Sequence, residues 1–166
     1  MSIRRTSSLA VLAAAALACT TTPAREPSHH MAPTKPTLAW DQAKVTSIAK
    51  DLAKACADLY SAYYASQGAS GGQIGSGDAE DSHRLGYKLN FIQVQTHALA
   101  SALAAGKGRL DTLPMVEDIG EVARDARVLL ARMFVQSPLQ ARIDAARKIW
   151  FELTPYYGVE APRENP

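Results

Sequence analysis

Four segments of the chain carry apolar residues at alternating spacings of three and four. This spacing places the apolar side chains of a helix along one side, so each segment predicts an amphipathic α-helix that turns a stripe toward a shared core. No segment alternates apolar and polar residues at every second position, and we therefore expect no sheet. The predicted helices cover about residues 38–66, 79–105, 112–136 and 138–153. The predicted stripe of the first helix is Val45, Ile48, Leu52, Ala55, Leu59 and Ala62, and that of the second is Leu85, Leu89, Ile92, Thr96, Leu99 and Leu103.

Alanine is common in these apolar stripes. Small side chains let neighbouring helices approach closely, because the distance between helix axes depends on the side chains at the contact. We therefore expect a tightly packed interior with little room for a large ligand. The alanines in question are Ala55, Ala62, Ala123, Ala126 and Ala146.

Capping residues and short links agree with these helices. Thr37 is a candidate N-cap of the first helix, and Asp111 or Thr112 of the third, while Gly106 is placed to end the second. The links after the second and third helices are short, and short links make consecutive helices antiparallel. The sequence thus predicts an all-α fold, an up-and-down antiparallel four-helix bundle over residues 37–166.

The first 18 residues show a different pattern. Arg4 and Arg5 precede an apolar run of about ten residues, and no acidic residue comes before Glu26. The run is too short to span a hydrocarbon core of ~30 Å as a helix. A basic start, a short apolar stretch and small residues at its end are typical of a secretory signal peptide, which we predict over residues 1–18.

The sequence Ala16-Leu17-Ala18-Cys19 resembles the lipobox of bacterial lipoproteins, although that family usually has Leu and the small residue in the opposite order. The resemblance covers residues 1–22 only. It implies that Cys19 is lipidated, becomes the mature N-terminus and holds the protein at a membrane. The alternative is an ordinary secretory signal that is cut after Ala18 without lipidation.

The residue after the cysteine bears on location. Thr20 stands where lipoproteins retained at the inner membrane typically have aspartate, so the resemblance implies the outer membrane, with the protein facing the periplasm. Residues 19–36 contain four prolines and almost no large apolar residue. Such a stretch buries too little surface to offset the entropy of ordering it, and we predict a disordered tether. Its reach is roughly 25 Å if coiled and about 55 Å if extended.

Removal of the signal changes the charge balance. The whole chain has 18 Lys and Arg against 16 Asp and Glu, and Arg4 and Arg5 account for the difference. A neutral mature chain without a basic cluster lacks the cations that binding to nucleic acid requires. We expect no nucleic acid among its partners. The expected partners are the membrane, through the N-terminal lipid, and an envelope protein.

Motifs that carry catalysis or hold cofactors are missing from the sequence or stand in a setting that does not support their chemistry. It has no Cys-x-x-Cys-His or Gly-Lys-Ser/Thr, and its one Gly-x-Ser-x-Gly, at residues 68–72, lies in the glycine-rich link without the strand-turn-helix setting of a catalytic serine. Within the predicted helices Glu-x-x-His occurs once, at Glu80 and His83. We expect no enzyme, no metal site and no cofactor. The alternative is a periplasmic bundle that binds a non-covalent haem or a metal. For haem, His83 and Met133 fall at the same height on paired helices and could be the axial ligands.

The third and fourth helices also carry many charged residues, acidic ones early and basic ones late. This order suits the helix dipole, and we interpret the residues as a solvated face. A surface for an anionic envelope polymer or for lipid head groups is the alternative. The basic residues include Arg124, Arg127 and Arg147.

Aromatic residues gather at one end of the predicted bundle, beside the glycine-rich link of residues 69–77. We expect most of them to pack, and any ligand or partner patch to lie there. The function predicted is that of a cell-envelope lipoprotein with a non-enzymatic helical bundle, either structural or partner-binding. The candidate patch consists of Tyr60, Tyr63, Tyr64, His83, Tyr87, Met133 and Phe134.

Overall fold

The computed structural model describes residues 38–69, 79–133 and 137–159. Within these ranges the chain forms four α-helices and no strand, which confirms the predicted helical bundle. The predicted signal and tether lie outside the described residues. The helices are α1 (Gln42–Ala69), α2 (Ala79–Ala104), α3 (Arg109–Leu130) and α4 (Ser137–Tyr157).

Contacts at both ends of α1 show that it runs antiparallel to α2. At its start, Gln42 Nε2 donates a hydrogen bond to the carbonyl oxygen of Leu103 at 2.9 Å. Toward its end, Tyr63 Oη donates to the carbonyl oxygen of Ser82 at 2.5 Å. The start of each helix therefore lies beside the end of the other.

The pair α1 and α4 is antiparallel as well. Trp40, just before α1, meets Tyr157 at the end of α4, with ring centroids 5.4 Å apart and rings nearly perpendicular. Farther along α1, the pKa of the Asp58 carboxyl is lowered mainly by Lys54 and more weakly by Arg142, which lies near the start of α4. Both contacts follow from the same antiparallel pairing.

Four pairs of helices are in contact, three of them closely packed and one sparsely packed. α1 packs against α2 and α4, and α2 packs against α3 as well. Lys88 Nζ and Asp125 Oδ2 form an ion pair across the α2–α3 face at 2.8 Å. Contact between α3 and α4 is the sparsest of the four. None of the described helices is long and apolar enough to cross a membrane.

The core confirms most of the predicted stripes, but the buried face of α1 is turned from its predicted position. Ala49, Cys56 and Tyr63 are buried, whereas Ala55 and Ala62 are only half-buried. α1 packs against α2 on one side and α4 on the other, and its buried face includes positions beside the predicted stripe. In α2 every predicted stripe residue is buried: Leu85, Leu89, Ile92, Thr96, Leu99 and Leu103.

The first helix begins at Gln42, later than predicted, because Asp41 caps it. Asp41 Oδ1 accepts a hydrogen bond from the backbone N–H of Lys44 at 3.0 Å, which satisfies a donor of the first turn. The sequence indicated Thr37 as the cap. Thr37 lies outside the described residues.

The third helix begins earlier and ends earlier than predicted. Gly108 is its N-cap residue, and the Gly108 N–H donates to Asp111 Oδ2 at 3.1 Å. Thr112 Oγ1 donates back to the carbonyl oxygen of Gly108 at 2.9 Å. Asp111 and Thr112 therefore stabilise the first turn from within the helix, and neither is the cap. At the other end, α3 stops at Leu130 and a turn follows.

The end of α2 confirms the role predicted for Gly106. Its φ of 84° lies in the left-handed region, which glycine adopts without steric strain. The Gly106 N–H donates to the carbonyl oxygen of Leu103 at 3.0 Å, and the Lys107 N–H donates to that of Ala102 at 3.1 Å. These two bonds form a Schellman motif, and they turn the chain sharply into α3.

The fourth helix continues beyond its predicted end and includes Pro155. Proline lacks an N–H and so removes one hydrogen bond from the helix. Burial of Tyr156 and Tyr157 offsets that loss, and the Tyr157 hydroxyl lies 2.9 Å from Thr112 Oγ1 of α3. The helix ends at Tyr157, and Gly158 follows with a φ of 71°.

Leu99 offers a test of the core, because its side chain is fully buried in the second half of α2. We expect Leu99→Ala to lower the free energy of unfolding by about 2–5 kcal/mol, through lost burial and the cavity left behind. Arg132→Ala is the matched control, since Arg132 is exposed and its loss should change stability by no more than about 0.5 kcal/mol. Urea unfolding of both variants measures the difference. Equal losses would contradict the core described here.

Candidate functional site

The structure divides the predicted aromatic patch. Tyr63, Tyr64 and His83 line one groove of about 340 Å³ between the end of α1 and the start of α2. Tyr87 is 73% exposed and is not among the residues that line this groove. The side chains of the predicted patch therefore do not form one continuous surface.

Tyr63 acts as a structural element of this groove. Its ring is buried, its hydroxyl donates to the carbonyl oxygen of Ser82 at 2.5 Å, and it accepts a hydrogen bond from Gln67 Nε2 at 2.8 Å. Burial raises the pKa of the Tyr63 hydroxyl, and the hydrogen bond with Gln67 opposes that shift. The hydroxyl therefore stays protonated and ties α1 to α2.

Tyr64 and Tyr60 extend the aromatic contact outward. The rings of Tyr63 and Tyr64 are nearly perpendicular with centroids 5.5 Å apart, and those of Tyr60 and Tyr64 are 4.7 Å apart. Gly86 makes this packing possible, because a Cβ there would lie 3.1 Å from Tyr64 Oη and 3.2 Å from Tyr63 Cε1. The sequence analysis missed Gly86, although a glycine in the middle of a helical stripe is itself a signal of close packing.

The haem alternative receives no support from the described geometry. His83 is exposed in the groove between α1 and α2, and Met133 is buried and does not line that groove. Phe134 lies outside the described residues. Within the described parts of the chain, no group of three or more His, Cys, Asp or Glu residues is placed to hold a metal ion.

A second concave feature lies between α3 and α4, where the sequence analysis expected close packing. It is an apolar cavity of about 150 Å³. The close approach expected from the alanine-rich stripes is wrong at this face, because α3 and α4 contact each other only sparsely, although a cavity of this size still leaves little room for a large ligand. The helices α1 and α2 form the floor of the cavity, with Leu52, Cys56, Leu59, Leu89, Ile92 and Thr96.

Trp150 explains why this face stays open. Its indole lies across the seam opposite Gly120, where a Cβ would approach Trp150 Cζ2 to 3.3 Å. The bulky ring thus occupies the point of contact and sets the separation of the two helices. Beside it, the side chains of Ala123, Ala126 and Ala146 are too short to fill the remaining space, and all three line the cavity.

Cys56 lies in the floor of this cavity as a buried free thiol. Burial raises its pKa to about 11, and a hydrogen bond with Thr96 opposes the shift. Thr96 Oγ1 in turn donates to the carbonyl oxygen of Gln93 at 3.0 Å. A protonated thiol is a poor nucleophile, so the geometry gives Cys56 a packing role.

Three arginines stand at the edge of the cavity: Arg124, Arg127 and Arg147. Arg124 Nε donates to the carbonyl oxygen of Gly120 at 3.2 Å, and the Arg147 guanidinium lies 5.3 Å from the centroid of the Phe151 ring. Among the described residues that line the cavity, none is acidic. The sequence analysis interpreted these arginines as part of a solvated face, because helix periodicity does not show that a cavity opens beside them.

Tyr63 and Tyr64 form a matched pair for a test of the α1–α2 groove. Tyr63→Phe removes a hydroxyl that bonds Ser82 and Gln67, and should lower the free energy of unfolding by about 1 kcal/mol. Tyr64→Phe removes a hydroxyl from a half-exposed ring, and should change stability by less than about 0.5 kcal/mol. Thermal unfolding of the two variants measures both effects. A larger loss of stability in Tyr64→Phe than in Tyr63→Phe would show that Tyr63 does not tie the helices together.

The raised pKa of Cys56 predicts a loss of stability at alkaline pH. The unfolded thiol ionises near pH 9.0 and the folded one near 11, so the stabilisation is complete below pH 9 and is lost as pH rises toward 11. The slope should reach roughly 1.4 kcal/mol per pH unit. Cys56→Ala is the control, since it lacks this contribution while keeping every tyrosine. Parallel pH profiles for the two chains would contradict the prediction.

Comparison with protein-family models, with curated proteins and with solved structures finds no match to this chain. We therefore infer the function from the residues themselves. Two features are available for that inference, the tyrosine-lined groove between α1 and α2 and the apolar cavity with its arginine edge between α3 and α4.

Proposed function

We propose that the protein is a cell-envelope lipoprotein, held at the outer membrane by a lipid on Cys19, whose helical bundle binds a partner or ligand and catalyses no reaction. The observation that carries the proposal is the order of residues at the N-terminus. A basic start, a short apolar run and small residues lead directly into Cys19.

The described part of the bundle is compatible with this proposal. The residues of its buried core lie between Val45 and Tyr157, and α1 begins at its own cap, Asp41. We propose that the stretch from Cys19 to the bundle serves as a tether of roughly 25–55 Å, which would let the domain reach partners near the membrane surface.

The two cysteines differ in a way that also supports lipidation at Cys19. Cys56 is buried in the core and its thiol stays protonated at neutral pH. A lipid on Cys56 would have to displace packed side chains of α1 and α2. Cys19 is the remaining cysteine of the chain.

The non-enzymatic part of the proposal rests on the described side chains. The thiol of Cys56 is a poor nucleophile, and the residues around His83 in its groove include no other histidine, no cysteine and no carboxylate. Both concave features instead offer surfaces for binding. The molecular activity that we propose is therefore recognition.

Lipid attachment is tested by producing the full chain in a bacterium fed with a labelled fatty acid. We expect the unchanged chain to carry the label and to sediment with the outer membrane. Cys19→Ser should lose the label completely, because no other cysteine is accessible. Cys56→Ala is the matched control and should keep it, since it removes only the buried thiol.

Two results would contradict the proposal. An unchanged chain that takes up no fatty acid would leave an ordinary secretory signal as the explanation of the N-terminus. A visible absorption band in the purified protein that disappears in His83→Ala would show that the bundle holds a cofactor.

A further inference from the structure

The cavity between α3 and α4 has an interior that suits hydrocarbon. Its floor consists of aliphatic side chains, and the two polar groups there, those of Cys56 and Thr96, already have hydrogen-bond partners in the protein. A polar group placed inside would lose its hydration and gain no partner. Apolar cavities of about this size stay dry and accept small apolar molecules such as benzene.

The edge of the cavity has the opposite character. Arg124, Arg127 and Arg147 line it together, and no carboxylate stands among them. Within the described residues, no ion pair involves Arg124 or Arg127. An anion at this edge would meet guanidinium groups that bind carboxylate and phosphate with paired hydrogen bonds.

We propose that this cavity binds a single-chain anionic amphiphile, with the end of its hydrocarbon chain between α3 and α4 and its head group at the three arginines. A volume of about 150 Å³ accommodates part of one chain and excludes a second chain beside it. The head group provides charge complementarity, and the chain provides burial of apolar surface. This proposal holds whether or not Cys19 carries a lipid.

The tryptophans of the chain allow a direct test. Trp150 lines the cavity, whereas Trp40 packs against Tyr157 at the junction of α1 and α4. Bromine quenches tryptophan fluorescence at contact, so a terminally brominated dodecanoate reports the position of its chain end. The test uses the chain that begins at Thr20, because that chain retains every residue of the described core and avoids the detergent that a lipidated protein needs.

We expect the brominated probe to quench Trp150 in a saturable manner in the Trp40→Phe variant, and to leave Trp40 unquenched in Trp150→Phe. Dodecanoate and dodecyl phosphate should displace the probe, and dodecyltrimethylammonium should not. A preference between the two anions would identify a fatty acid or a phosphate-headed lipid as the source of the ligand.

Substitutions at the edge and in the cavity complete the test. Arg124→Gln and Arg127→Gln together should weaken binding by about tenfold or more, since charge-assisted bonds are lost. Arg132→Gln is their matched control, because Arg132 is exposed on the same part of the chain and does not line the cavity. Ala123→Leu should block the cavity, and Ala145→Leu, at an exposed position of α4 that does not line the cavity, should not.

Three results would overturn the proposal. Absence of saturable quenching of Trp150 would show that no hydrocarbon chain enters. Equal displacement by the cationic amphiphile would show that the arginines do not select the head group. Failure of every amphiphile, together with dimerisation that Ala123→Leu abolishes, would show that a second copy of the chain covers the cavity. None of these results bears on lipidation of Cys19.

Discussion

The arrangement of the bundle depends on the wide apolar face that α1 buries against two neighbours at once. Because α1 packs against both α2 and α4, it fixes the positions of those helices on either side of itself. α3 is attached mainly through α2, and nothing comparable draws α3 and α4 together. The distance between α3 and α4 is therefore set by the side chain that lies between them, the indole of Trp150, which packs against Gly120.

The sequence predicted the helices well where a single stripe faces a single core. All predicted stripe residues of α2 are buried, and its end at Gly106 has the expected geometry. Prediction was weaker for α1, where Ala49, Cys56 and Tyr63 are buried beside the predicted stripe, because the period of a pattern does not show how wide the buried face is. It was weakest for the distance between α3 and α4. Alanine permits close approach, but one indole in the seam, that of Trp150, prevents it there.

The candidate sites show the same limit. The sequence brought Tyr63, Tyr64 and His83 to one end of the bundle, and these three do line a common groove. It did not show that the hydroxyl of Tyr63 is already used by the backbone of α2, or that Gly86 is the residue that admits the rings. Hydrogen-bond partners and the absence of a Cβ act at distances of a few ångströms, which a helical period does not resolve.

The arginine edge illustrates how composition conceals a local charge. The predicted mature chain is formally neutral, and on a sequence scale its arginines are interspersed with acidic residues. Folding separates them: Asp125 turns toward Lys88 on the α2 side of α3, while Arg124 and Arg127 turn toward the seam with α4. Neighbours in sequence thus end up on different faces of one helix. A neutral protein thereby acquires a cationic edge beside an apolar interior, and that combination distinguishes an amphiphile site from an ordinary solvated surface.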